Sequence, residues 1–274
     1  MTSDILSRAP PKADSRSVYG PSPENFIEFR FPRRSGPSPV LLVLHGGFWQ
    51  EAYDLSHMDP LCAAVTPGGV ITCNVEYRRI GNRGGGWPGT FLDAAHATDY
   101  IFEEMSSDSR FDLGRVAALG FSAGGHLALW LSGRHRVRAD SPIRSKPAGR
   151  LVGVVSIAGV SDLRKAWEHQ VGGDAVVRLM GGTPGEHPDR YDAGSPIELL
   201  PVGVKQILVH GTNDEVVPLW QSEAFVERAK ALGEEPRLVK LEGAGHFETI
   251  NPESVAWQRI ATETRALFHP SSAP

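Results

Sequence analysis

The chain has 274 residues, 41% hydrophobic and 22% charged, with 28 Lys and Arg against 32 Asp and Glu for a formal net charge of −4. That length supports one large domain with a sizeable core, and the acidic balance leaves no electrostatic footprint for nucleic acid or an anionic membrane. Two cysteines, Cys62 and Cys73, are too few for a disulfide framework or a cysteine-rich metal site.

Residues 1–17 are polar and rich in Pro and Ser, which reads as a flexible N-terminal arm. They lack the apolar stretch of a signal peptide, and no apolar run in the chain is long enough to span a membrane, so a cytoplasmic protein is expected. From residue 18 to 268, strand-like runs alternate with helical patterns. The predicted strands are 25–32, 39–45, 69–77, 115–120, 150–159, 205–211 and 236–243; the predicted helices are 57–66, 90–106, 123–132, 220–232 and 252–268. Unbroken Val, Ile and Leu runs such as VLLVL imply strands buried on both faces, as in a mostly parallel sheet with helices on each side. The run FIEFRF alternates instead and reads as a half-exposed edge strand. Cys62 and Cys73 fall in apolar segments and read as buried thiols. The last six residues, HPSSAP (269–274), form a short tail.

Residues 163–201 break the alternation, separating two strands by more than a crossover helix needs. Long connections inside an α/β domain often serve as lids or binding loops. This lid-like insertion carries Leu179 and Met180, candidates to line a pocket. The basic stretches RHRVRAD (134–140) and RSKPAGR (144–150) read as solvated loops.

The most informative stretch is GFSAGGH, residues 120–126, set between an apolar strand and an apolar helix. Gly120-Phe121-Ser122-Ala123-Gly124 fits G-x-S-x-G. In such an elbow the serine takes a strained backbone conformation at a sharp turn, and glycines on either side leave it room. Its hydroxyl would stand above the end of the sheet, at a helix N-terminus that favours developing negative charge.

A serine hydroxyl needs a base, and the base needs a carboxylate to orient it. His246 sits in GAGHFE, a Gly-rich turn between the last strand and the last helix, where a loop would deliver an imidazole to the serine. His45 and His210 end strands and read as supports; His126 lies within the elbow helix, pointing away from the serine. His57, His96, His135, His169, His187 and His269 fall in helices or polar loops without such context. Among carboxylates, Asp214 in HGTNDEVVP follows a strand end through a short turn, with Asp162 in AGVSDL as runner-up. Asp93 and Asp99 read as helix-face residues. The tandem glycines of HGGFW (45–49) can present backbone N–H groups to the serine. Gly47 and Phe48, with Ala123 as the other donor, are the candidate oxyanion hole. Trp49 and Phe247 join Leu179 and Met180 as candidate substrate contacts. No H-E-x-x-H or comparable metal spacing is present, and GNRGGGW (81–87) lacks the Lys-Ser/Thr of a phosphate loop, so neither a metal nor a cofactor is expected.

HGGFW, GFSAGGH, HGTNDEVVP and GAGHF together resemble the α/β-hydrolase family over residues 18–268, and within it the esterase/lipase-like branch with the HGG-x-W motif that includes arylformamidases. Phe48 stands where that subgroup often has tyrosine, so a tyrosine hydroxyl has no role there. The resemblance implies an α/β-hydrolase fold and a serine hydrolase with Ser122, Asp214 and His246 as its triad. It also implies cleavage of small carboxylic esters or aryl formamides through an acyl-enzyme. Acyl transfer or peptidase-like hydrolysis would use the same residues, whereas a noncatalytic binding protein would be expected to have lost one of them. The expected partner is a small ester or amide, with no nucleic acid and no membrane; a homodimer is compatible with this reading.

Overall fold

The apolar runs assemble into one eight-stranded sheet in the computed structural model, which describes residues 11–268. The strands are β1 (Ser15–Val18), β2 (Phe26–Arg30), β3 (Ser38–Leu44), β4 (Ile71–Val75), β5 (Phe111–Phe121), β6 (Gly153–Ile157), β7 (Lys205–Gly211) and β8 (Arg237–Leu241). Their spatial order is β1-β2-β4-β3-β5-β6-β7-β8. β2 runs antiparallel to both of its neighbours, and every pair from β4 to β8 is parallel. All seven predicted strands are present. The eighth, β1, is the polar run SRSV, which no apolar pattern marks. Because β1 pairs along β2, the alternating FIEFR run is flanked on both sides and is not the edge strand it was expected to be. Pairing of Ser15 to Ser17 also shortens the expected arm; residues 1–10 and the tail 269–274 lie outside the described residues.

The pleat distributes each strand between two apolar layers. Val40, Leu42 and Leu44 of β3 enter one cluster, while Leu41 and Val43 enter the other. Helices α2 (Gly89–Glu104), α3 (Ala123–Gly133) and α7 (Trp220–Ala231) close the larger cluster. Helices α1 (Asp59–Val65) and α8 (Trp257–Ala266) close the smaller one. Both faces are therefore covered, which is why the parallel strands read as continuous apolar runs. Each such side chain buried contributes about 1.5–3 kcal/mol of transfer free energy. Cys62 and Cys73 are buried free thiols, and burial pushes Cys62 up to about 12.

The insertion folds as three short helices, α4 (Leu163–Glu168), α5 (Ala175–Met180) and α6 (Pro188–Gly194). On α5 the spacing of Val176, Leu179 and Met180 puts them on one helical face, and that face turns into the larger core cluster with Leu163, Ala166 and Tyr191. Trp130 Nε1 of α3 donates to the Ala193 carbonyl at 2.9 Å. Leu179 and Met180 are both fully buried, contrary to their expected role as pocket-lining side chains. Gly and Pro in this stretch mark helix ends rather than a loose lid.

Candidate active site

β5 passes into α3 through Ser122, whose φ of 54° and ψ of −118° lie outside both helical and extended backbone. For a residue with a side chain such a conformation costs about 1–3 kcal/mol and needs support from its surroundings. The Ser122 N–H donates to the Ile157 carbonyl of β6 at 2.8 Å, and the Ser122 carbonyl accepts the His126 N–H at 3.0 Å. A Cβ on Gly120 would collide with the Gly124 carbonyl, and one on Gly124 with the Leu44 carbonyl of β3. The two glycines of the motif thus let strand, helix and neighbouring strand close on the serine. Ser122 is only 2% exposed. The first N–H groups of α3, beginning with Ala123, have no partner within the helix.

The loops leaving β7 and β8 are joined to each other beside this elbow. The Asn213 N–H donates to the Ala244 carbonyl, and the Thr212 N–H to the Leu241 carbonyl, both at 3.0 Å. That stitching brings His246 Nδ1 to 2.7 Å from Asp214 Oδ2. With Nδ1–H donated to a carboxylate, Nε2 keeps its lone pair. The His246 ring lies on Phe121, the residue before Ser122, with centroids 4.6 Å apart. Asp214 Oδ1 accepts the N–H groups of Val216 and Val217, each at 2.9 Å, and His210 Nε2 stands 3.5 Å from Oδ2. Burial alone would raise the Asp214 carboxyl. Hydrogen bonds from His210 and His246, the charge of His246 and the Val217 N–H outweigh it and hold the group well below the usual carboxylate range.

The loop after β3 reaches the elbow from the other side. A Cβ on Gly46 would come to 3.1 Å from both Ser122 Cβ and the Phe121 carbonyl. Gly47, Phe48 and Trp49 all have positive φ (101°, 47° and 55°). The turn is held by Gln50 N–H to the Gly47 carbonyl at 2.9 Å and Ile80 N–H to the Trp49 carbonyl at 2.7 Å. Among the described residues no hydrogen bond engages the N–H groups of Gly47 or Phe48, which leaves them available to an anion. His45, expected to support this loop, does so. Its ring nitrogens face the Gly46 carbonyl at 2.9 Å and Glu76 Oε1 at 3.0 Å, and it stacks on Tyr77 at 4.3 Å.

Of the other sequence candidates, Phe247 packs edge-on against His246 at 5.3 Å and is at the site. Trp49 is fully buried and sits edge-on to His126 at 5.1 Å, so it packs the loop against α3 instead of facing a ligand. Asp162 caps α4 by accepting the Lys165 N–H at 2.9 Å. Asp93 pairs with Arg78 at 2.6 Å, and Asp99 pairs with Arg134. Two participants were missed. His57 accepts the Gly46 N–H at 3.2 Å. Glu76 binds His45 and also accepts the Leu55 N–H at 3.0 Å. His210, read as a support, stands beside Asp214. Glu76 carried a usable signal, since it follows an apolar strand directly; His57 carried none. Among the described residues no group of three or more His, Cys, Asp or Glu is placed to hold a metal, and no helix is long and apolar enough to cross a membrane.

A mostly parallel sheet covered on both faces, with a serine at a strand–helix elbow and an Asp–His pair on later loops at the same edge, defines the α/β-hydrolase fold. The chain belongs to the BD-FAE family, whose model matches residues 29–229. It is 27% identical to Esterase LipC of Mycobacterium tuberculosis over 247 residues, covering 84% of this chain and 59% of that protein. It is 25% identical to the probable isoprenylcysteine alpha-carbonyl methylesterase ICME of Oryza sativa subsp. japonica, covering 93% of this chain and 64% of that one. The chain thus spans less than two thirds of the length of these curated relatives. The solved structure of an inhibited Esterase B from Lactobacillus rhamnosis superposes with a TM-score of 0.81 at 19% identity, covering 97% of this chain and 90% of that one.

Proposed function

We propose that the protein is a serine hydrolase of small carboxylic esters. The observation that carries this reading is the 2.7 Å bond between His246 Nδ1 and Asp214, on a ring packed against the residue that precedes the elbow serine. Ser122 Oγ attacks the ester carbonyl as His246 Nε2 takes its proton, and Asp214 holds the imidazole and stabilises the imidazolium. The N–H groups of Gly47, Phe48 and Ala123 receive the oxyanion. His246 then returns the proton to the leaving alcohol, and water, activated in the same way, frees Ser122 from the acyl-enzyme. The relatives' names, esterase and methylesterase, fit this chemistry.

The bulky HGGFW loop, whose Phe48 ring lies over Gly172 of the insertion, supports formyl, acetyl or butyryl groups over long acyl chains. Aryl formamides meet the same size limit, and the HGG-x-W motif is the observation that keeps them in view. The test is hydrolysis of p-nitrophenyl esters of rising chain length beside N-formylkynurenine, with fluorophosphonate labelling. Short esters should be cleaved and Ser122 labelled, and Ser122→Ala should lose both activity and label while keeping its fold. Labelling or turnover that survives in Ser122→Ala overturns the assignment.

A further inference from the structure

The loop that carries the oxyanion donors needs something to fix its first peptide. A Cβ on Gly46 would stand 3.1 Å from Ser122 Cβ, and the residues that follow form a run of three positive-φ positions. Among the described residues, the Gly46 N–H is the one N–H of residues 46–49 that is hydrogen-bonded, and its acceptor is His57 Nε2 at 3.2 Å in the buried turn Leu55–Met58. The imidazole is wedged edge-on between two parts of the site: against His45 at 5.7 Å, and against Phe121 at 6.2 Å.

We propose that His57 is a positioning residue for the oxyanion hole, its Nε2 lone pair fixing the Gly46 peptide and thereby the direction of the Gly47 and Phe48 N–H groups. The inference rests on the serine-hydrolase reading above. Histidine suits the task because a neutral imidazole offers one in-plane lone pair while its opposite nitrogen carries the proton. A protonated ring would be a donor at both nitrogens and could not accept the Gly46 N–H. Burial foremost, then the charge of His45, with Arg79 adding to it and Asp54 opposing, pushes His57 down to about 3, so the lone pair persists across neutral and mildly acidic conditions. His57 touches no reacting atom; it acts through the Gly46 peptide.

The experiment compares wild type, Ser122→Ala, His57→Leu and His57→Gln on p-nitrophenyl acetate, with thermal midpoints measured in parallel. Glutamine can place its side-chain oxygen near the position of Nε2 and accept the same N–H, whereas leucine cannot. His57→Leu should lower kcat by about 10²-fold with KM little changed, because a misaimed oxyanion donor is felt in the transition state. His57→Gln should recover to within about tenfold of wild type at a comparable midpoint. Equal activity in the leucine and glutamine variants, at any level, overturns the proposal. A second measurement uses wild type alone: ¹⁵N spectra of the histidine rings should show His57 protonated at Nδ1 and bare at Nε2, with the Gly46 amide protected from exchange. A ring protonated at Nε2, or an unprotected Gly46 amide, also overturns it. Should wild type show no Ser122-dependent hydrolysis, the hydrolase reading fails first, and the ring tautomer and amide protection still report the His57–Gly46 bond by itself.

Discussion

The exits of β6 and β7 look alike in sequence and do different things. Each strand ends in a short turn carrying an aspartate and leads on to a helix. Asp162, after β6, accepts the Lys165 N–H at its Oδ1, and its own backbone is clamped by Gln221: Ser161 N–H and Asp162 N–H both donate to Gln221 Oε1 at 2.8 Å. Asp214, after β7, also caps its own turn, its Oδ1 accepting the N–H groups of Val216 and Val217. The difference lies in the second oxygen. Asp214 Oδ2 faces His246 at 2.7 Å and His210 at 3.5 Å. One local device, an aspartate satisfying backbone N–H groups, becomes a candidate catalytic part only where the next strand's loop brings a histidine against it.

The largest effect that tests this contrast is on turnover. Asp214→Asn should preserve the turn yet present an amide where His246 needs a carboxylate, lowering kcat on a short ester by on the order of 10⁴ by analogy with other triads. Asp162→Ala should leave kcat near wild type and cost about 1 kcal/mol of stability through the lost cap. Steady-state kinetics and denaturant titration of the two variants read both quantities. If Asp162→Ala is the more crippled enzyme, the two exits have been assigned the wrong way round.

What the sequence made legible follows the same line. Ser122, Asp214 and His246 each sit in a short stretch whose glycines and strand context announce a turn at the sheet edge. The apolar strands announce themselves by unbroken Val, Ile and Leu. Contacts made across the chain leave no local mark. His57 meets Gly46 eleven positions away, and Gln221 meets Ser161 sixty away. β1 is a polar strand defined by its pairing alone. In the insertion, Gly and Pro advertised a lid, but composition cannot say which way Leu179 and Met180 point. Tertiary packing turned them inward.

That packing gives the next test, of intermediate size. If the segment following β6 is part of the core, Leu179→Ala leaves a cavity and should cost about 2–5 kcal/mol. The ranking of acetyl, butyryl and longer esters should stay as in wild type. A changed ranking with little loss of stability would move the segment from scaffold to substrate pocket and bring the β6 side of the molecule closer in role to the β7 side.

The smallest expected effect separates the two sides by their response to acid. His126 holds the insertion through its Nε2–H to the Gly194 carbonyl at 2.9 Å, and burial lowers it to about 4 against an ordinary 6.5. His57 is lowered to about 3 in the same way. Between the ordinary value and the folded one, the unfolded chain takes up a proton that the folded chain refuses, so stability falls as pH drops through that window. Asp214 loses stability in the same direction but in a lower window. Its carboxyl is depressed below 3.8, so its contribution is intact above that value and is lost only in stronger acid. Wild type should therefore lose stability between pH 6.5 and 4 through these buried histidines, before the Asp214–His246 pair gives way. His126→Gln keeps an N–H donor for Gly194 and cannot titrate. Relative to its own stability at pH 6.5, it should retain on the order of 1–2 kcal/mol more than wild type does at pH 5. Denaturant titrations at pH 6.5 and pH 5 measure this directly. An unchanged slope would mean that the His126 ring already accepts a proton in the folded state, and that the join between insertion and elbow helix is no weaker in acid than the Asp214 loop.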